Sequence, residues 1–347
     1  MLVDSPPEQC AETAPAPPTR RVVRVFGLLV AVLVLVLVAS ASIAIGAKGL
    51  SVGQVWHGLF QDTGTYGDVV VDERLSRTVL GLLAGAALGL SGAVLQALTR
   101  NPLADPGLLG INAGASAAVV TAITYLGVTS LSGYVWFAFL GAAAVGALVW
   151  FLGGSRGATP VRLALAGTAI SAALYGYLQA VMITDQAALG KMRFWTVGSL
   201  SSATDSTITQ VLPFFVAGTL LALGLARPLN AVALGDDTAR ALGADLNRTR
   251  ALSMLAATVL CGAATAACGP IAFVGLMVPH AVRSFTGPDL RWILPYATIL
   301  SPVLLLGADV VGRVVARPAE LQVGIITALV GGPVFILLVR RRRTAQL

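Results

Sequence analysis

The residues that could do chemistry in this 347-residue chain are few and scattered. A phosphate-binding loop needs G-x-x-x-x-G-K followed by Ser or Thr. The chain has two lysines only, Lys48 before Gly49 and Lys191 before Met192, so it holds no such loop. His57 and His280 show no metal-ligand spacing, and His280, three residues before Arg283, reads as a packed or capping histidine. Cys10, Cys261 and Cys268 contain no C-x-x-C pair. Cys261 and Cys268 could share one helix face as small apolar packing residues, so neither a disulfide nor a structural metal is expected. Paired carboxylates and catalytic triads are missing as well. This is not expected to be an enzyme by itself, nor to bind a cofactor; a driving force would come from another chain, or there is none.

Ion-coupled carriers usually place carboxylates or histidines inside the membrane, where each costs about 2.5–3.5 kcal/mol on insertion scales. None falls near the middle of an apolar run here; Gln96, Asn112, Gln179 and Gln210 are the nearest polar residues. Asp309 lies close to a span end, four residues before Arg313, where an ion pair is possible. What stands out instead is a long polar interval, Arg227–Arg250, between apolar runs. Pro228 can open a helix there. Ala231, Leu234, Ala239, Leu242 and Leu246 suggest an apolar stripe on one or two short helices broken near Gly235. Such an island is either a docking surface for a soluble motor or an ordinary solvated loop helix.

The elements that hold these residues follow from composition. Hydrophobic residues make up 56% and charged residues 11%, far below the roughly 25% charge of soluble domains. The mean hydropathy is +0.83. The chain is therefore expected to be an all-α, polytopic membrane protein. Runs of about 20 residues fall near 25–47, 76–98, 107–126, 133–153, 161–183, 207–226, 250–268, 271–286, 292–313 and 321–340, about ten spans in all. The eighth is short and interrupted by Pro279. Residues 1–19, rich in Pro, Ala and Glu, read as a disordered cytoplasmic tail. Residues 20–343 form the membrane domain, and 344–347 a short tail. A signal peptide is the competing reading of the first run, but that run exceeds the usual length of a signal core.

With the N-terminus inside, sixteen of the 23 Lys and Arg residues fall on the cytoplasmic side. The positive-inside rule then places both termini and the island in the cytoplasm. This explains the +7 formal charge without nucleic acid. Gly81, Gly85 and Gly89, continued by Ala93 and Ala97, form a small-residue stripe that lets a second helix approach closely.

Three motifs then carry a resemblance. They are Arg100-Asn101-Pro102-Leu103-Ala104-Asp105-Pro106 with Leu108-Leu109-Gly110; Gly269-Pro270-Ile271-Ala272-Phe273-Val274-Gly275-Leu276 with Pro279-His280 and Arg283; and Ala308-Asp309 with Arg313, Glu320-Leu321, Val323-Gly324-Ile325-Ile326-Thr327-Ala328-Leu329 and Gly331-Gly332-Pro333. Over roughly residues 25 to 343 the chain resembles the FecCD-type permease subunits of ABC importers for iron–siderophore complexes, haem or vitamin B12. The resemblance implies the type II importer permease fold, with the second to fifth spans mirrored by the seventh to tenth. It implies a bacterial plasma membrane location, a second permease subunit (identical or homologous), two ATPase subunits below and a substrate-binding protein above.

By the same resemblance the island is a coupling segment, in which Gly235, Ala239, Leu242 and Gly243 would contact the ATPase. Arg74, Arg77 and Arg313 match positions that face the binding protein. Membrane anchoring is the alternative for the first two, and a pair with Asp309 for the third. The pathway would run between the fifth span, the 194–200 segment with Trp195, Gly198 and Ser199, and the tenth span. Ser76 and Gln322 stand where the family often has Pro, which bears on local loop geometry. An iron–siderophore is the expected substrate, with haem or cobalamin as alternatives. An ion-coupled carrier and a passive channel are rivals from other classes.

Overall fold

A computed structural model describes residues 19–60, 64–128, 130–154 and 160–343. The proposed terminal tails fall almost wholly outside these residues. Among the described residues there are fourteen α-helices, one 3-10 turn at Pro106–Leu109 and no strand. The helices are α1 Thr19–Ala44, α2 Val52–Phe60, α3 Tyr66–Leu98, α4 Ile111–Tyr125, α5 Leu131–Gly154, α6 Pro160–Thr184, α7 Gln186–Trp195, α8 Asp205–Gly224, α9 Ala226–Ala233, α10 Asp236–Ala241, α11 Leu246–Cys268, α12 Val274–Thr286, α13 Leu290–Val315 and α14 Val323–Arg343.

Seven of these (α1, α3, α5, α6, α8, α11 and α13) are long and apolar enough to cross a membrane. With α4, α12 and α14 they account for the ten runs in order. The eighth run is corrected. Residues 269–273 are not helical, and α12 has only 13 residues. Gly269 and Phe273 both take positive φ, +73° and +70°, which stops α11 and delays α12. Non-helical backbone at membrane depth needs partners inside the protein. The carbonyl of Cys268 accepts from the Ser199 N–H at 2.7 Å, within the segment that follows α7.

The core is built on α3, which packs against α13, α11 and α12. The small-residue stripe explains the closeness. Gly81 faces Leu306, Gly85 faces Pro302 and Gly89 faces Ser301, all on α13, while Gly92 abuts Gly275 of α12. The pattern of helix pairs suits an inverted repeat. α3 packs on α13 as α11 packs on α5, and α4 packs on α5 as α12 packs on α13. A methyl built on Gly85 would lie 2.6 Å from the Pro302 Cα. Gly85→Ala is therefore expected to push α3 and α13 apart and cost about 1–3 kcal/mol. Thermal unfolding in detergent measures this, and an unchanged midpoint would mean that the stripe is not tightly packed.

Candidate functional site: a docking island, an arginine cluster and two cavities

The polar interval folds into two short helices, α9 and α10, separated by Gly235 at φ +112° and closed by Gly243 at φ +79°. L-residues disfavour both conformations, so these two positions require glycine. The break reorganises the stripe expected from the sequence. Val232, Ala239 and Leu246 turn inward and pack together with Ala231 and Ala244. Leu234 and Leu242 point out and are about two-thirds exposed. Gly235 and Gly243 have open space where a side chain would project. The structure thus brings Gly235, Leu242 and Gly243 to one free surface. Ala239 is fully buried beneath it, where it spaces α10 from α9. Leu234 belongs to the surface as well, and its outward turn was hidden by the αα break at Gly235.

Three side-chain ties fix the island to the membrane helices. The Asn230 amide donates to Asp289 at 2.6 Å and its carbonyl accepts from the Leu290 N–H at 2.9 Å, which holds α9 at the start of α13. Asp236 pairs with Arg250 at 2.7 Å and with Arg100. Arg100 Nε also donates to the Val232 carbonyl at 2.9 Å. Burial alone would raise the Asp236 carboxyl, but the hydrogen bonds from Arg250 and Arg100 outweigh it and hold the group below the usual carboxylate range.

At the opposite end, Arg74, Arg77 and Arg313 are turned inward; all three are buried. Arg74 donates to the carbonyls of Ile43, Ala44 and Lys48. Arg313 donates to Ser42 O and Ser42 Oγ, both at 2.9 Å, and Arg317 donates to Gly46 O at 2.7 Å. These guanidinium groups satisfy the unpaired carbonyls where α1 ends, as cations do at a helix C-terminus. Arg77 meets Asp309 through Nη2 at 2.7 Å and Nε at 3.1 Å, and meets Glu320 at 2.7 Å. Arg313 pairs with Asp309 at 2.9 Å. Asp309 is fully buried between the two arginines. Most of the donors of these arginines go to α1 and to the internal carboxylates rather than to an exposed face. The pair with Asp309 is the reading of Arg313 that the geometry supports.

Of two further cavities, one lies beside α7 and the other between α6, α12 and α14. The one at the end away from the island, about 360 Å³, is lined by Trp195, Ser199, Phe194, Lys191 and Gln322. Gly198 is not on its lining. Its positive φ (+80°) and contact with Pro270 O place it in the turn behind, where its carbonyl accepts from the Gly324 N–H at 3.2 Å. The second cavity, about 450 Å³, lies toward the island and is lined by Asp105, Asn112, Thr168, Ser171, Tyr175 and Phe335, among others. Asp105 caps the 3-10 turn by accepting from the Gly107 N–H at 2.7 Å. Burial pushes its carboxyl up to about 6, against the opposing pull of that bond. Asn112 Oδ1 accepts from Thr265 Oγ1 at 2.9 Å, which joins α4 to α11. Asp105 and Asn112 are cavity residues that the sequence reading left unassigned. Both occur within or just after the Arg100–Gly110 motif, which was the available signal. Among the described residues no cluster of His, Cys, Asp and Glu could hold a metal ion.

Comparison with known proteins agrees with this architecture. The FecCD transport family model matches residues 32–341. The chain is 47% identical over 327 residues to the ferric enterobactin transport system permease protein FepD of Escherichia coli (strain K12), covering 93% of this chain and 96% of that protein. It is 37% identical to the Fe(3+)-citrate import system permease protein YfmD of Bacillus subtilis (strain 168), covering 93% and 97%. It is also 37% identical to the hemin transport system permease protein HmuU of Yersinia pestis, covering 92% and 96%. A solved structure of a metal-chelate type ABC transporter in an inward-facing conformation superposes with a TM-score of 0.81 at 29% identity, covering 90% of this chain and 98% of that one. With an all-helical membrane body and a glycine-bounded island, this chain belongs to the FecCD transport family.

Proposed function

We propose that this chain is the permease subunit of an ATP-driven importer that moves an iron–siderophore complex into the cytoplasm. The observation that carries the reading is near-full-length similarity to a ferric enterobactin permease and a ferric citrate permease. Two ATPase subunits would serve the complex, one of them bound to this chain's island through Leu234, Leu242 and the open glycines Gly235 and Gly243. A substrate-binding protein would dock at the opposite end, on a platform that the arginine cluster stiffens from within. A second permease, identical or homologous, would face the wall of α6 and α14 and close the pathway past Trp195 and Ser199. Both termini would be cytoplasmic, which agrees with the charge bias of the loops.

Haem or cobalamin import by the same mechanism is the second reading, favoured by the similarity to HmuU. Cells lacking this chain, with and without it restored, separate the two in an uptake panel of radiolabelled ferric enterobactin, ferric citrate, haem and cobalamin. Restored uptake of a ferric chelate is expected. Restored uptake of haem or cobalamin alone would overturn the substrate assignment and leave the architecture standing.

A further inference from the structure

One carboxylate joins the island to two membrane helices. Asp236 opens α10. Its Oδ1 accepts from Arg100, in the loop that leaves α3, and its Oδ2 accepts from Arg250, in the first turns of α11, at 2.7 Å. Arg100 holds the island a second time through the Val232 carbonyl at the end of α9. Its backbone takes φ +51°, a left-handed conformation that L-residues other than glycine disfavour. A glycine would sit there without strain but could not reach the island. The side chain is thus what this position supplies.

The chain beyond Arg100 runs straight into the larger cavity. Leu103, Asp105, Gly107 and Asn112 all line it, opposite Thr168 and Ser171 of α6 and Phe335 of α14. Only three positions separate Arg100 from the first of these residues. A displacement of α10 therefore pulls on a short segment that ends in the cavity wall. Within that segment the 3-10 turn is fixed at its start by the Asp105 cap.

We propose that Asp236 is a positioning residue that carries motion of the docking island, through Arg100, into the cavity-lining segment 100–112. The inference rests on the reading of the island as the ATPase docking surface. At physiological pH the carboxylate is ionised, so the tie is present throughout the working range. Coupling of this kind needs physical contacts that join the two places, not proximity alone.

The test uses the permease with its ATPase and binding protein reconstituted in liposomes, with ATP hydrolysis and uptake of radiolabelled ferric enterobactin measured in the same vesicles. In Asp236→Asn the ATPase subunits should still co-purify and hydrolyse ATP, while solute moved per ATP falls about tenfold. Arg100→Gln should behave alike. The loss in the double variant should fall short of the two single losses combined, because both variants cut the tie between Asp236 and Arg100. Asp236→Glu keeps the charge and should recover most of the ratio. An unchanged ratio in Asp236→Asn overturns the proposal. Loss of the ATPase from that variant overturns it too, since Asp236 would then be a docking contact and not a transmitter. A Gly243→Trp permease that still retains its ATPase would instead defeat the docking reading beneath it.

Discussion

Replacing Asp309 with Ala is expected to be the most destabilising single change in this protein. Asp309 is fully buried and stands between Arg77 and Arg313, whose side chains are 10% and 2% exposed. Removing it leaves the buried Arg313 without its counter-charge and leaves Arg77 with Glu320 alone. Breaking a buried ion pair from one side costs about 3–5 kcal/mol. The damage would spread, because Arg313 also holds the end of α1 through Ser42 and Arg77 reaches Glu320 ahead of α14. Glu320→Gln removes a partly exposed partner, so it should cost no more than about 1 kcal/mol. Thermal unfolding of the two variants in detergent checks the contrast. Equal midpoints would mean that the cluster is not the fastening described here.

Gly243→Trp should abolish transport while the membrane body stays folded. The backbone at Gly243 has φ +79°, so any side chain carries a local strain of about 1–2 kcal/mol. Nothing in the chain lies within 4 Å of an added Cβ. The indole would therefore stand in open space, where the ATPase is proposed to sit beside Leu242. Filling the centre of a small interface removes a contact of the kind that dominates binding. Recovery of the ATPase with the purified permease should fall by roughly tenfold or more, the equivalent of about 1.4 kcal/mol. Gly243→Ala carries most of the strain with little of the bulk, and should retain much of the binding. If both variants lost the ATPase equally, strain in the turn would be the cause and steric exclusion would not.

Much of this could be read from the chain because lipid imposes a simple pattern. The long apolar runs at α1, α3, α5, α6, α8, α11 and α13 are required by the bilayer, and the glycine stripe on α3 announces a close neighbour without saying which. The shortening of α12 was harder to see. It comes from a positive φ at Phe273, a residue whose type gives no warning. Helices α2 and α7 went unplaced because both are short and lie between spans, where hydropathy has no threshold to cross. The arginine cluster defeated sequence reasoning for another reason. Arg77 and Asp309 are 232 residues apart, and only the packing of α3 on α13 makes them partners. In the island the apolar stripe, expected on one or two short helices broken near Gly235, included Ala239 together with Leu234 and Leu242. The break at Gly235 resets the phase, so Ala239 goes inside while Leu234 joins Leu242 outside.

Transport through this permease is expected to draw its energy from ATP hydrolysis. Proteoliposomes holding the permease, its ATPase and its binding protein allow the most direct measurement: uptake of radiolabelled ferric enterobactin with ATP supplied to the ATPase side, with a non-hydrolysable analogue, and with a proton gradient alone. Uptake that requires ATP hydrolysis and ignores the gradient is the expected result. Uptake that follows the gradient and proceeds without hydrolysis would contradict an ATP-driven permease and return the chain to the class of ion-coupled carriers.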